Sequence, residues 1–484
     1  MKKYILYTLA IIFSYSCGSD FLNVSPTDSA GEEDLINNIV DLRTATEGAY
    51  ECLTSSNYYQ GEYTFIADLM GDLNMEAQWS SQHLKFYYAY GFTKVRAETS
   101  VFRNIYLGLQ HINIVLEKAD ILTESTEKKE LIAELRALRA LLHFDLVRMY
   151  GPLYSNLGKG AIKADALGIR IAKEPIKNLR DGFYRDKVSD VYQFVLKELE
   201  EAVVDLPKNK RNGYLNYWGG KALLSKVCLY MDMNREALTH AEDVIANSGL
   251  MLYDRSNYVE SWKQEYASES LFELATSQMD NTGYLTLGWF VSEKGNKTVV
   301  PTDDFLELME QDPNDVRFEL LEYSNKDKCY YISGKYPGKE SEMDIKINNP
   351  KVIRLSEVYL IASEAALKLD DLNKAGKILS DLREKRTTTE PRKYESSIEL
   401  SDVLYERAVE LFGEGHRAWD LWRNQLPVVR YRTMLEKNEK GHSDYLDDGV
   451  IAFDFYQTIY PIAESELQLL PPQEQSKQQN PGYQ

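Results

Sequence analysis

Apolar residues recur every three or four positions along most of the chain, which is the spacing of one face of an α-helix. The segment "ELIAELRALRALLHFDLVRMYG" is the clearest case, because Leu131, Leu135, Leu138 and Leu142 form one stripe that ends before Gly151. Comparable patterns occur in "FRNIYLGLQHINIVLEKAD" and "DVYQFVLKELEEAVVDLP". The spacing predicts a mainly α-helical protein.

Two segments share a pattern that predicts paired helices. In "CLYMDMNREALTHAEDVI", Leu229 precedes Ala237 by eight residues, and in "ALKLDDLNKAGKILSDL", Leu367 precedes Ala375 by the same interval. Each segment contains a polar turn with Asp and Asn, followed by small or apolar residues at helical spacing. Such pairs are typical of tetratricopeptide-type arrays, in which each pair buries its apolar face against its neighbours. We therefore expect tetratricopeptide-like helix pairs to form a frame.

Two other stretches, residues 55–95 and 250–350, are rich in Tyr, Gly, Asn and Ser and lack sustained helical periodicity. They are predicted to be loops and short elements laid over the frame, and loops on a rigid scaffold commonly carry binding residues. We expect residues 34–484 to form a single domain, with an N-terminal half over about 34–250 and a C-terminal half over about 251–484.

The N-terminus has the three regions of a secretory signal. A basic start precedes an apolar run that ends at Phe13, and small residues then lead to Cys17. The run is too short to span a bilayer, whose apolar core is about 30 Å thick. The pattern predicts a lipoprotein signal peptide over residues 1–16, lipid attachment at Cys17, and a tether over residues 17–33. An ordinary signal peptide with an incidental cysteine is the alternative.

The composition excludes some classes of function. Nucleic acid requires a basic protein surface, so the net charge of −19 predicts no nucleic-acid partner. Without Cys17, three cysteines remain, which allow at most one disulfide. The chain has 34 tyrosines and 6 tryptophans, most of which we expect in the core, with a minority exposed to stack on a ligand.

The densest group of polar and aromatic residues is "ERAVELFGEGHRAWDLWRNQ", residues 406–425. Its apolar spacing predicts a helix that ends at Phe412, a break at the two following glycines, and a second helix from about His416. On a helix His416 and Asp420 would be neighbours at four-residue spacing.

This stretch lacks the requirements of the common hydrolases. A glycosidase needs two carboxyl groups about 5–10 Å apart, and the glycine break leaves Glu414 and Asp420 without a defined relation. None of the six histidines forms an HExxH pair, and no Ser or Cys nucleophile motif accompanies His416. We predict no enzyme activity and no cofactor. The stretch is better interpreted as a structural corner, in which charged residues bond buried helix ends.

The same stretch, taken as "YERAVELFGEGHRAWDLWR", resembles the signature of the SusD/RagB family of outer-membrane nutrient-binding lipoproteins. Four further segments resemble the family in order and spacing: "ELRALRALLHFDLVRMYGPL", "YRDKVSDVYQFVLKELEEAVVDLP", "VIRLSEVYLIASEAAL" and "YPIAESELQLLPPQEQSKQQNPGY". The resemblance covers essentially the whole mature chain. It places Glu414, His416, Arg417 and Asp420 in a structural family motif.

The resemblance implies a SusD-like fold, with tetratricopeptide-like pairs as the frame and an irregular part that carries the ligand. It further implies a lipid-anchored protein on the outer face of an outer membrane. Such a protein captures oligosaccharides, or peptides in some members, and delivers them to a SusC-like TonB-dependent transporter. Two other classes stay open: a periplasmic tetratricopeptide-type scaffold for protein partners, and a secreted enzyme that cleaves glycans.

Ligand-binding residues do not transfer from the family, whose ligand loops correspond roughly to residues 70–100 and 270–300. Sugars present apolar C–H faces together with hydroxyls, so a flat ring with a polar handle suits them. The candidates for ligand contact in these regions are Trp79, Tyr87, Tyr88, Tyr284 and Trp289. For each ring alone, packing in the core is at least as good an interpretation.

Overall fold

A computed structural model gives the architecture of most of the chain. The residues that it describes are 36–76, 84–97, 100–177, 183–280, 283–339, 344–389, 394, 397–430 and 449–484. This part of the chain is mainly helical, and no helix within it is long and apolar enough to cross a membrane.

The helices fall into a longer N-terminal set and a more interrupted C-terminal set. The first set is α1 (Ile39–Glu51), α2 (Glu62–Leu69), α3 (Lys85–Tyr88), α4 (Ser100–Ala119), α5 (Thr126–Tyr150), α6 (Val188–Asp205), α7 (Tyr217–Tyr230) and α8 (Asn234–Asn247). The second set is α9 (Tyr258–Ser261), α10 (Leu287–Val291), α11 (Asp303–Glu310), α12 (Leu355–Lys368), α13 (Leu372–Arg383), α14 (Leu400–Glu410), α15 (Arg417–Arg423), α16 (Glu464–Leu467) and α17 (Pro472–Gln478).

Short strands pair only in antiparallel twos among the described residues. The pairs are β1 (Asn74–Glu76) with β3 (Val299–Pro301), β2 (Ser270–Glu273) with β6 (Lys351–Arg354), β4 (Glu322–Ser324) with β5 (Cys329–Tyr331), and β7 (Val428–Val429) with β8 (Val450–Ile451). One of these pairs joins the two segments predicted to be irregular: β1 lies in residues 55–95, and its partner β3 lies in residues 250–350.

Helix α5 is the centre of the frame and packs against α1, α4 and α6. Ser125 caps its first turn by accepting a hydrogen bond from the Lys128 N–H, and Gly151 follows its last residue. The predicted stripe is buried, with Leu135, Leu138 and Leu142 fully covered. Because most other α5 positions are buried as well, this helix is enclosed on nearly all sides.

Both predicted helix pairs are present. They are α7 with α8, and α12 with α13. The two tight turns contain Asp232 and Asp370, which adopt left-handed backbone conformations with φ of 56° and 61° that Asp tolerates better than bulkier residues. Ala237 and Ala375 are fully buried where the second helix of each pair packs back on the first. Helix α12 also packs on α8, so the two pairs stack as expected for a tetratricopeptide-like array.

The prediction of a mainly helical frame with an irregular, loop-rich part is therefore confirmed. One continuous apolar core extends from Ile36 to Tyr483. The division into halves near residue 250 stays a prediction. The predicted signal peptide, Cys17 and the tether lie outside the described residues.

Candidate ligand-binding surface

The corner at residues 406–425 has the predicted order of helix, glycine break and helix. Helix α14 ends at Glu410, and α15 begins directly after His416. Gly413 and Gly415 have φ of 74° and 78°, which glycine adopts without steric cost. A β-carbon at Gly415 would also lie 2.5 Å from the Thr64 carbonyl oxygen, so this turn requires the close approach of two backbones.

Glu410 is the hub of a buried ion network. Its carboxylate accepts hydrogen bonds from Arg386 Nε at 2.9 Å, from Arg354 Nη1 at 3.1 Å and from Arg317 Nη1 at 3.1 Å. Burial alone would raise the pKa of Glu410, but the three guanidinium groups hold that pKa well below its usual range. Removing one partner of such a group leaves an uncompensated buried charge.

Glu414 extends the same network. It accepts a hydrogen bond from Lys335 Nζ at 2.6 Å and another from Arg354 Nε at 2.8 Å. Burial opposes the ionised form, yet Arg354 and Lys335 together lower the pKa of Glu414. Its two oxygens are therefore fully used in binding protein cations.

The corner also joins the frame to the irregular part. Asp68, in α2, accepts hydrogen bonds from the backbone N–H groups of Gly415, His416 and Arg417 at 3.0, 2.9 and 3.0 Å. Burial raises the pKa of Asp68 to about 6, although these three donors favour its ionised form. The Arg417 side chain adds an ion pair with Asp72 at 2.7 Å.

His416 and Asp420, neighbours at four-residue spacing, do not pair through their side chains. The two residues share only the ordinary helical hydrogen bond from Asp420 N–H to the His416 carbonyl, at 3.0 Å. The Asp420 carboxylate instead binds Arg407 at 2.8 Å and Arg423 at 2.9 Å, because guanidinium groups from both helices reach it. His416 Nδ1 lies 3.7 Å from Glu357, and burial lowers the pKa of His416 well below its usual value.

The corner offers no room for a substrate. The cavity beside Glu414 and His416 has a volume of about 30 Å³, which accommodates a water molecule. No cluster of three or more His, Cys, Asp or Glu side chains is arranged to hold a metal ion in the described parts of the chain. Most of residues 406–425 are buried, and the charged groups are paired with one another. Their role as a structural corner stays a prediction.

Two of the candidate rings are core residues. Tyr87 is 3% exposed, and its hydroxyl donates a hydrogen bond to Glu62 at 3.1 Å. Tyr88 is 7% exposed and packs under the guanidinium of Arg430, 4.8 Å from the ring centroid. Both lie in the single turn of α3, which is pressed against the core. Their burial favours packing over ligand contact. Naming Tyr87 and Tyr88 as candidates for ligand contact is therefore corrected: both are core residues.

Tyr284 and Trp289 form the aromatic pair of the candidate surface, in which Tyr284 is the exposed ring. Tyr284 is 63% exposed and Trp289 is partly buried, with ring centroids 5.0 Å apart and planes inclined by 47°. Lys346 Nζ lies 5.5 Å from the Tyr284 centroid and 3.3 Å from Asp344. The Trp289 indole nitrogen is buried and finds no acceptor among the described residues. Trp79 lies outside them.

The loop that carries these rings is fixed to the protein by its backbone. Asn296 donates hydrogen bonds from its side chain to the Tyr284 carbonyl at 2.9 Å and from its backbone to the Trp289 carbonyl at 2.7 Å. Leu287 N–H donates to the Gln60 carbonyl at 2.9 Å. The sequence predicted the two rings as separate candidates, and the fold of this loop brings them together.

An open cleft lies beside this loop, and sequence reasoning missed it. Its volume is about 540 Å³, and α1, α4 and the turn Cys52–Thr54 form its walls. Met279, whose side chain is 98% exposed, stands at the rim. The sequence contains one indication of this cleft: Gly48 lies in the middle of a helical pattern, where glycine is unfavourable.

Two family models match the chain. The model described as the SusD family matches residues 322–483, and the model described as starch-binding associating with outer membrane matches residues 20–229. A SusD-like protein of Bacteroides ovatus is 23% identical over 404 residues, covering 72% of this chain and 69% of that protein. The SusD-like protein P25 of Formosa agariphila is 22% identical, covering 100% of this chain and 99% of its own length.

Solved structures agree with the sequence comparisons. A SusD superfamily protein from Bacteroides thetaiotaomicron has a TM-score of 0.83 with 27% identity, covering 92% of this chain and 100% of the other. One from Bacteroides vulgatus has a TM-score of 0.80 with 28% identity, covering 93% and 100%. The helix pairs, the corner and these matches along both halves lead to one conclusion: the chain belongs to the SusD/RagB family.

Proposed function

We propose that this chain is a non-catalytic glycan-binding lipoprotein of the cell surface. It holds an oligosaccharide against Tyr284 and Trp289 and delivers it to a SusC-like TonB-dependent transporter. The observation that carries the proposal is the Tyr284 ring, 63% exposed beside a second ring on a loop whose backbone is fixed. Such a ring offers an apolar face to sugar C–H groups, and the tyrosine hydroxyl offers a hydrogen bond.

The comparisons support a glycan as the first ligand to test. The family model over residues 20–229 is described as starch-binding. A structure named a laminarin binding SusD-like protein has a TM-score of 0.70 with 20% identity, and so shares the fold. Peptides are the alternative ligand, and a tetratricopeptide-type scaffold for protein partners is the alternative class.

Binding without cleavage is supported by the state of the corner carboxylates. Glu410, Glu414 and Asp420 are buried and engaged by arginine or lysine, so none of them faces a space in which a glycosidic bond could lie. Incubating the protein with starch and laminarin and analysing the products tests this directly. Intact glycan is expected, and released sugar would support the enzyme alternative.

Calorimetric titration against starch, laminarin and a peptide panel tests the ligand class. We expect a glycan to bind, and we expect Trp289→Ala and Trp79→Ala to weaken that binding by several-fold to tenfold, since each aromatic contact contributes about 0.5–1.5 kcal/mol. Full affinity in both variants would contradict the proposed location of the binding site. An early melting transition in either variant would assign that ring to the core.

The anchor and the partner need separate experiments. Cys17→Ala should release the protein in soluble form or leave its signal uncleaved, as judged by fractionation and by the mass of the N-terminal peptide. A correctly processed, membrane-bound variant would contradict lipid attachment at Cys17. For delivery, the tagged protein should co-purify with a TonB-dependent transporter from detergent-solubilised outer membranes. Recovery of the protein alone would contradict that partnership.

A further inference from the structure

The cleft beside the Tyr284 loop is large enough for a ligand, because binding pockets commonly have volumes of about 300–1,000 Å³ and this one measures about 540 Å³. It is open to solvent between α1 and α4. Leu107 on α4 and Met279 place apolar side chains at its edge, 60% and 98% exposed. Burial raises the pKa of Cys52 to about 12, so the thiol in the wall stays neutral.

Gly48 leaves one wall of the cleft bare without a structural need. It lies inside α1, is exposed, and has no left-handed backbone angle. A β-carbon there would meet only His111, at 3.5 Å, which is ordinary van der Waals contact. Glycine is a poor helix former, and its common reasons for being in a helix are close packing or the approach of a ligand to the backbone.

Gly108, on the opposite wall, shows the contrast. A β-carbon at Gly108 would lie 2.5 Å from Cys52 Sγ, so this glycine is required for α4 to pack against the turn after α1. Packing explains Gly108 and does not explain Gly48. The exposed backbone of α1 at Gly48 therefore indicates that a ligand approaches the helix from the cleft.

The polar groups in the walls present hydrogen-bond acceptors to the cleft. His111 Nε2 lies 2.8 Å from the Ala45 carbonyl, which can only accept, so Nε2 is the donor and Nδ1 of the neutral ring is left as an acceptor. Asn104 donates its amide to the Cys52 carbonyl at 2.8 Å, and no described residue donates to its Oδ1. The Glu51 carboxylate adds further acceptor oxygens. Hydroxyl groups are the natural donors for such a wall.

The cleft is close to the proposed aromatic site. Met279 at its rim precedes Tyr284 by five residues, and a chain of that length spans at most about 17 Å. One extended ligand can therefore reach from the ring to the cleft. We propose that the cleft between α1 and α4 is a second binding site, which takes the hydroxyl-rich continuation of a saccharide stacked on Tyr284. This inference rests on the proposed function and extends it to longer oligosaccharides.

Gly48→Trp tests the proposal by filling the cleft, with Gly48→Ala as the matched control. The probes are two ladders of ligands, maltose to maltoheptaose and laminaribiose to laminarihexaose, titrated by calorimetry. For the ladder that binds, Gly48→Trp should weaken the longest members by roughly tenfold or more, since several hydrogen bonds are lost together. The shortest members should bind as before. Gly48→Ala should raise the melting temperature and should weaken the longest members much less than Gly48→Trp does.

Met279→Ala is a second variant that cannot disturb the core, because the side chain is almost fully exposed. It should weaken the longest ligands by about two- to threefold, as expected for a single apolar contact. If Gly48→Trp and Met279→Ala both bind every length normally while Tyr284→Ala does not, the second site is wrong and the proposed function stands. If the unaltered protein binds neither ladder, the glycan proposal is wrong and the second site is wrong with it.

Discussion

The corner at residues 406–425 and the loop that carries Tyr284 use polar and aromatic residues in opposite ways. At the corner, each carboxylate is buried and bonded; Glu410 alone accepts from three arginines. In the loop, Tyr284 is 63% exposed, and the indole N–H of Trp289 has no acceptor among the described residues. The carboxylates of the corner are engaged within the fold, although buried atoms such as His416 Nδ1 and Trp422 Nε1 have no hydrogen-bond partner among the described residues. In the loop, by contrast, most of the Tyr284 ring is open to solvent.

This difference separates structural from functional residues better than residue type does. A charged group whose hydrogen bonds are all made within the fold stabilises the fold and has nothing left for a ligand. An exposed ring on a fixed loop contributes little to stability and retains its free face.

The largest effect is expected for Glu410→Gln. The change removes the charge that three buried arginines share, and losing one partner of a buried ion pair commonly costs about 3–5 kcal/mol. The free energy of unfolding, measured in urea, should fall by that amount. Asp381→Asn is the control, because its pair with Lys377 is exposed and should contribute less than about 0.5 kcal/mol. Equal changes in the free energy of unfolding of the two variants would contradict a structural role of the corner.

A pH-dependent loss of stability is expected from His143. Burial lowers its pKa to about 4, and both ring nitrogens are engaged: Nδ1 lies 2.7 Å from the Arg139 carbonyl, and Nε2 accepts the Ala172 N–H at 2.9 Å. The unfolded chain takes up this proton near pH 6.5, so stability is full above that pH and falls as the pH drops towards 4. The total loss should be about 3 kcal/mol, at roughly 1.4 kcal/mol for each pKa unit.

The measurement is denaturant unfolding between pH 7.5 and pH 4, and the comparison is His143→Gln, which cannot titrate. Asp68 acts in the opposite direction in this window, because its pKa is raised to about 6 and ionisation then costs stability as the pH rises. The difference in pH slope between the unaltered protein and the variant isolates His143. Identical slopes would mean that His143 is not held in its neutral form.

A smaller loss is expected for Asp68→Asn. The amide has one acceptor oxygen in place of two, so it cannot accept all three backbone N–H groups of the corner. Leaving a buried donor unpaired costs about 1–3 kcal/mol. Removing the buried charge offsets part of that cost, so a thermal melt at neutral pH should show a small net loss. Ligand affinity of the folded protein should stay close to normal. Lost affinity at unchanged stability would make the corner part of the binding site.

The smallest free-energy effect is expected for Tyr284→Ala, and it should appear in binding alone. Stacking on a sugar contributes about 0.5–1.5 kcal/mol, a several-fold to tenfold change in affinity. The melting temperature should not change, because the ring is mostly exposed. Tyr184→Ala is the matched control, since Tyr184 is 46% exposed outside the Tyr284 loop. If the two variants bind the ligand with equal affinity, Tyr284 does not contact the ligand.

Regular patterns along the chain were enough to predict the frame. The stripe through α5 and the two helix pairs depend on neighbours within one or two turns, so their information is local. The glycine break before α15 was predictable for the same reason. The partners of the Asp420 carboxylate were not predictable, because Arg407 comes from another helix and helical spacing carries no information about it.

The sequence by itself thus determined the helical class and the resemblance to the SusD/RagB family. Only the tertiary structure decided which rings are free. Tyr87, Tyr88 and Tyr284 are the same residue type and were candidates on equal terms, yet the first two are buried and the third is exposed. The reason is physical: the exposure of a ring depends on which distant segments pack over it, and that is settled by long-range contacts such as the hydrogen bond between Gln60 and Leu287.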